Sequence, residues 1–206
     1  EHIPVVVLTP FSHGITARIE HEDLSAFEYV FCWLGNTDLL LSIIKLLEDK
    51  MNLDHDIEEG GVQLILLVED NIRFYSSVLP ELYKFVLQQS REFATEALNE
   101  HQRTLRMRGR PKIALARTYE EATALYDAHP NNVLGVITDA RYPRGGEVPP
   151  KAGVALLNRL RKADPFLPLI LESAESHNAV EASAHNAAFV DKNSKKMAVD
   201  LRRAVT

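Results

Sequence analysis

Hydrophobic positions along this chain fall into short solid runs, separated by longer stretches in which they return every three or four residues. Solid runs of β-branched and aliphatic residues read as buried strands. They are Ile3–Leu8, Phe27–Leu34, Val62–Val68, Ile113–Ala116, Val133–Thr138, Pro168–Leu171 and the shorter Phe189–Asp191. The periodic stretches read as helices. One spans residues 37–52, opened by Asn36 and Thr37 as caps, with Leu40, Ile43, Ile44 and Leu47 as its apolar face. A second starts at Ile72 behind Asn71, carries Phe74, Val78, Leu82, Phe85 and Val86 on one face, and keeps helical composition to about Arg106. Pro80 falls inside it as a kink point. Thr118 followed by Glu121 is a capping box for Tyr119–His129. Gly153–Lys162, His177–Asn186 and Ser194–Val205 complete the set.

From Val62 onward strand and helix alternate, which implies an α/β unit with a doubly wound, five-stranded parallel sheet. The first helix of that unit is longer than covering a strand requires. Residues 54–61 (DHDIEEGG) are acidic and end in paired glycines, as a linker does. The division expected is therefore a partial α/β segment at residues 1–56, a linker at 57–61 and a complete unit at 62–206.

Composition narrows the setting more than the chemistry. The 206 residues carry 23 basic and 29 acidic side chains, a net charge of −6, which gives no global attraction to nucleic acid or anionic membrane. No apolar run approaches the ~18 residues of a membrane span, and no signal peptide stands at Glu1. Cys32 is alone, so no internal disulfide is possible and a cytoplasmic location is expected. Arg103, Arg106, Arg108, Arg110 and Lys112 form a basic run that reads as a solvated face near a helix end.

In a doubly wound sheet, ligands meet the carboxyl ends of the strands. Glu69-Asp70 follows the first strand of the unit, Asp139 the third, Ser173 the fourth and Lys192 the fifth. Clustered carboxylates raise one another's pKa unless a cation sits among them. An oxygen-only set suits Mg2+, which takes one or two carboxylates plus a phosphate. One carboxylate beside such a metal and an amine can accept a phosphoryl group.

The segment 62–206 resembles the receiver (CheY-like) domain of two-component response regulators. The resemblance is carried by Glu69-Asp70 after LILLV, by Asp139-Ala140-Arg141-Tyr142-Pro143, by Gly153, by Ser173-Ala174 after PLILE and by Lys192 after FVD. It implies a flavodoxin-like strand order 2-1-3-4-5 and a bacterial phosphorelay protein with no more than slow self-dephosphorylation. It also implies Asp139 as phosphoacceptor and Mg2+ on Glu69, Asp70, Asp139 and the backbone carbonyl of Arg141. Lys192 and Ser173 would meet the phosphoryl group, with Ser173 and Phe189 as switch residues. A histidine kinase or a histidine phosphotransfer protein is the implied donor. The sequence departs from the family where Asn193 follows Lys192 in place of a proline. A cis non-proline bond costs about 2.5–4 kcal/mol, so a trans bond is expected there. The loop from Asp139 to Pro150 is long, and could lie over the site.

Residues 1–56 resemble the second half of another, degenerate receiver. Ile3–Thr9 matches Leu167–Ser173 in pattern and Tyr29–Cys32 matches Phe189–Lys192, placing Cys32 where the amine would stand. That half, or the long first helix, is a candidate surface for a homodimer. The two segments together look similar to regions ahead of the PEP/pyruvate-binding part of some PEP-synthase-like bacterial proteins, which implies such an enzyme, attached or separate, as the regulated partner. A pseudo-receiver that serves only as a dimerisation or protein-interaction module is the alternative.

Overall fold

The computed structural model describes residues 3–10, 26–95, 109–194 and 197–205. Five parallel strands form the central sheet: β3 (Leu64–Val68), β4 (Lys112–Ala116), β5 (Val133–Asp139), β6 (Leu169–Ser173) and β7 (Ala188–Asp191). Their order, β4-β3-β5-β6-β7, is the expected 2-1-3-4-5. Inner strands read as solid apolar runs because helices cover both of their faces. Ile65 and Leu67 belong to one core and Leu64, Leu66 and Val68 to the other. The first face carries α2 (Ile72–Thr95) and α6 (Met197–Val205), and the second carries α3 (Tyr119–Ala128), α4 (Ala152–Ala163) and α5 (Asn178–Ala184).

The segment ahead of this sheet is built into it. β1 (Val6–Pro10) and β2 (Tyr29–Trp33) form a two-stranded parallel sheet of their own. β2 lies on the outer side of α2: Phe31 meets Tyr75 edge-on at 5.4 Å, the Tyr75 hydroxyl donates to the Val30 carbonyl, and the Cys32 amide donates to Ser76 Oγ at 3.0 Å. Cys32 is a packing residue here, fully buried. Register refines the comparison of the two halves. Ser173 sits opposite Asp191, whereas Thr9 sits opposite Cys32, so Trp33 rather than Cys32 stands at the position of Lys192.

Helix α1 (Asp38–Gly60) corrects two expectations. Residues 54–60 are its last turns, not a linker, and Gly61 ends it in the left-handed conformation with its N–H on the Asp56 and Ile57 carbonyls. Its buried stripe is Leu39, Ser42, Leu46, Asp49, Leu53 and Ile57, while Leu40 and Ile44 are exposed. Leucines lie almost all round this helix, so hydrophobicity alone points to the wrong face. Leu39 and Leu46 join the core on one side of the sheet and Leu53 and Ile57 the core on the other. Helix α1 therefore crosses the outer edge of the sheet, at strand β4.

A buried ion cluster fixes that crossing. Asp49 is fully buried and accepts from Arg110 Nη2 at 2.5 Å and Nη1 at 3.0 Å, from the Tyr83 hydroxyl at 2.9 Å and from the Ile113 amide at 3.0 Å. Lys112 Nζ lies 3.6 Å from Asp49 and 2.5 Å from Asp56. Arg110 and Lys112 are thus interior ion-pair partners and not a solvated face. Arg103, Arg106 and Arg108, with the expected helix beyond Thr95, lie outside the described residues.

Candidate functional site

Parallel strands of one sheet end together, and β3, β5 and β7 bring their acids and amine to one edge. Glu69 follows β3 and is 1% exposed; its Oε1 accepts the Asn71 amide at 3.0 Å and its Oε2 accepts Lys192 Nζ. Asp139 ends β5, and its Oδ1 accepts the Ala140 amide at 2.7 Å and lies 3.0 Å from Lys192 Nζ. Glu69, Asp70 and Asp139 each offer a carboxylate oxygen within 4.8 Å of the other two. A divalent ion with oxygen ligands fits such a set. Lys192 also lies over the Phe74 ring at 4.2 Å.

The charges here are not balanced. Burial pushes the Glu69 carboxyl up to about 8, Lys192 pulls it down, and Asp139 adds to the rise. Burial acts to lower the Lys192 ammonium, but Glu69 and Asp139 outweigh it and raise its pKa. Lys192 is therefore the fixed cation, and the carboxylates around it hold room for another.

Lys192 reaches this place without the proline expected of a receiver. The described residues contain no cis peptide bond. The Lys192 amide donates to the Ser173 carbonyl at 3.0 Å, and the Asn193 side chain donates to the Ala174 carbonyl at 2.8 Å, so Asn193 ties the β7 end to the β6 end.

Ser173 is buried with its hydroxyl accepting from Asn178 Nδ2 at 2.9 Å and from the Glu175 amide at 3.0 Å. Phe189, half-buried, sits opposite Leu171 in the core shared with α4 and α5. Arg141 directs its guanidinium outward, 3.9 Å from Glu175. The long loop after Asp139 is anchored beside the site, on the start of α3. Tyr142 is fully buried with its hydroxyl 3.1 Å from Thr138 Oγ1, Pro143 accepts the Tyr119 amide at 2.9 Å, and Arg144 lies over the Tyr119 ring at 4.4 Å. Gly153 has a steric reason to be glycine: a Cβ there would stand 2.0 Å from the Asp139 carbonyl oxygen.

Three residues near the site escaped sequence reasoning: Phe74, Asn178 and Glu172. Glu172 is the most unusual. It lies opposite Asp139 across the β5–β6 ladder, is 1% exposed, and its Oε1 has no hydrogen-bond partner among the described residues. Burial pushes its carboxyl up to about 7, with Lys192 opposing and Asp139 adding to the rise. The signal was present as one charged residue inside the run LILES.

No protein-family model matches the chain, and no curated protein matches it. Solved structures do resemble it. A response regulator receiver domain protein from Clostridium thermocellum is 20% identical, with a TM-score of 0.46 over 70% of this chain and 91% of that one. The non-phosphorylated HemR receiver domain from Leptospira biflexa is 23% identical, with a TM-score of 0.43 over 70% and 94%. A chain of the CheX-CheY-BeF3-Mg2+ complex from Borrelia burgdorferi is 21% identical, with a TM-score of 0.41 over 71% and 90%. No described helix is long and apolar enough to cross a membrane.

Proposed function

We propose that this chain is a phosphoacceptor receiver whose nucleophile is Asp139. The observation that carries the reading is the triangle of Glu69, Asp70 and Asp139 oxygens with Lys192 bridging two of its members. Asp139 Oδ1 is engaged by Ala140 and Lys192, which leaves Oδ2 to attack. With a phosphohistidine donor, the new P–O bond forms on Asp139 as the P–N bond breaks, and the departing imidazole nitrogen takes up a proton from water. Mg2+, held by Glu69, Asp70 and Asp139 with the Arg141 carbonyl as a further ligand, would supply the neutralising charge that lets an anionic phosphoryl group approach. Lys192 then moves its ammonium from the carboxylates to the phosphoryl oxygens. Ser173 still has its own hydroxyl proton to donate, because both of its hydrogen bonds are accepted ones. Turning toward Asp139 costs it the Asn178 contact, and this would reshape the α5–β7 face that includes Phe189.

A histidine kinase or histidine phosphotransfer protein is the donor in this reading, and a PEP-synthase-like enzyme, attached or separate, the regulated partner. The engagement of Lys192 by both Glu69 and Asp139 favours a second reading, a pseudo-receiver that acts as a constitutive interaction or dimerisation module. One experiment separates them. The protein is incubated with acetyl phosphate and Mg2+ and its mass followed, with Asp139→Asn in parallel. A single added phosphoryl group, dependent on Mg2+ and absent from Asp139→Asn, is expected; an unchanged wild-type mass leaves the pseudo-receiver.

A further inference from the structure

Where α1 crosses the sheet edge it does not close completely. A cavity of about 280 Å3 remains between α1, the outer side of β4 and α3. Leu46, Leu53, Leu115 and Leu125 give it apolar walls. The volume lies just below the range of drug-sized pockets, about 300–1,000 Å3, so an occupant must be small.

Its polar lining is Tyr29, Asp49, Lys50, Arg117 and Glu121. Tyr29 is 4% exposed and lines the cavity, and its hydroxyl, which is not sealed from solvent, makes no hydrogen bond among the described residues. Burial pushes that hydroxyl up to about 12, so it keeps its proton and is a donor. Arg117 and Lys50 both lie against the Tyr29 ring, at 5.7 and 5.6 Å. Lys50 is already paired with Glu28, whereas the Arg117 guanidinium has no carboxylate partner among the described residues. Of the cavity's two acids, Asp49 is paired with a cation and Glu121 is bound to a backbone amide. Asp49 is saturated by Arg110, Tyr83 and Ile113, and Glu121 Oε2 accepts the Arg117 amide at 2.7 Å. One guanidinium fork and one hydroxyl over apolar walls match a carboxylate, which takes two parallel N–H bonds. A phosphate, with more charge to satisfy, would need more donors than stand here.

We propose that this cavity binds a small organic monocarboxylate with a short apolar body, its carboxylate on Arg117 and Tyr29. The site links the segment ahead of the sheet to the acid cluster, since the carbonyl of Ala116, next to Arg117, accepts the Glu69 amide at 2.9 Å. It stands independently of the phosphoacceptor reading.

The test uses the full chain, isotope-labelled, titrated with phenylacetate and 4-methylpentanoate and with the corresponding neutral amides. Saturable amide-resonance shifts are expected around Tyr29, Leu46, Leu115 and Ala124 with at least one carboxylate, and binding about ten-fold or more weaker for its amide. Arg117→Gln should lose the same factor for the carboxylate and none for the amide. Ala124→Phe, which fills the cavity, should abolish both; if it does not fold, Arg117→Gln decides. No saturable shift with either carboxylate, shifts confined to other regions, or equal affinity for wild type and Arg117→Gln would each overturn the proposal.

Discussion

Replacing Glu172 by glutamine should stabilise the protein, and by an amount set by pH. The substitution keeps the shape of the side chain and removes its ability to ionise. In the folded chain burial moves this carboxyl from the ordinary 4.5 to about 7. At about 1.4 kcal/mol per pH unit, the ionised form is disfavoured by about 3 kcal/mol. Below pH 4.5 both folded and unfolded chains hold the proton, and the group adds nothing to the pH dependence. Between 4.5 and about 7 the unfolded chain releases its proton while the folded chain keeps it, so wild-type stability falls as pH rises. Above about 7 the penalty is complete. The gain of Glu172→Gln over wild type should therefore grow by about 3 kcal/mol from acidic to mildly alkaline pH. Urea unfolding of both proteins, in metal-free buffer and at half-unit steps of pH, measures it. A difference that stays flat across the range would mean that Glu172 is not held in a dry site beside Asp139, and the reasoning fails.

Other expectations follow from the same contacts. Asp49→Asn leaves Arg110 buried without its counter-charge, while Lys112 keeps Asp56, and should cost about 3–5 kcal/mol by chemical denaturation. Gly153→Ala drives a methyl into the Asp139 carbonyl; it should cost about 3 kcal/mol, the upper end for overpacking, and weaken divalent-ion binding by shifting Asp139. Burial raises the Glu69 carboxyl above the ordinary carboxylate range, so proton and Mg2+ compete there, and Mg2+ affinity by calorimetry should fall as the pH is lowered. A pH-independent affinity would remove Glu69 from the ligand set.

Much of the central sheet was legible, for a reason seen in β3: Leu64–Val68 is buried on both faces and so carries no polar residue at all. The capping box at Thr118 was legible too, and the Glu121 amide does donate to Thr118 Oγ1 at 3.1 Å, although the Glu121 carboxylate reaches back to Arg117 rather than to Thr118. The acids and the lysine could be placed because parallel strands end together. What the sequence hid were partnerships across long separations. Asp49 looks like a surface acid until Arg110, 61 positions later, is seen to enclose it. The run 54–61 looks like a linker because its acids and glycines are common in linkers, and only the docking of Leu53 and Ile57 makes it helix. Asn193 looked like damage at a proline position, since its bond to the Ala174 carbonyl depends on a neighbouring strand.

The crossing of α1 over β4 also bears on how this molecule could be divided. An exposed sheet edge is a template for pairing with another chain. Here the edge is sealed by a helix from the preceding segment, and one of its amides, that of Ile113, is claimed by Asp49. A fragment beginning at Val62 would keep every residue of the candidate site, yet it would bare that edge and take from Arg110 and Lys112 their carboxylate partners, Asp49 and Asp56. The five-stranded unit is therefore not a portable module. Shuffled into another protein, or expressed alone, it would have to carry α1 with it or find a substitute for it.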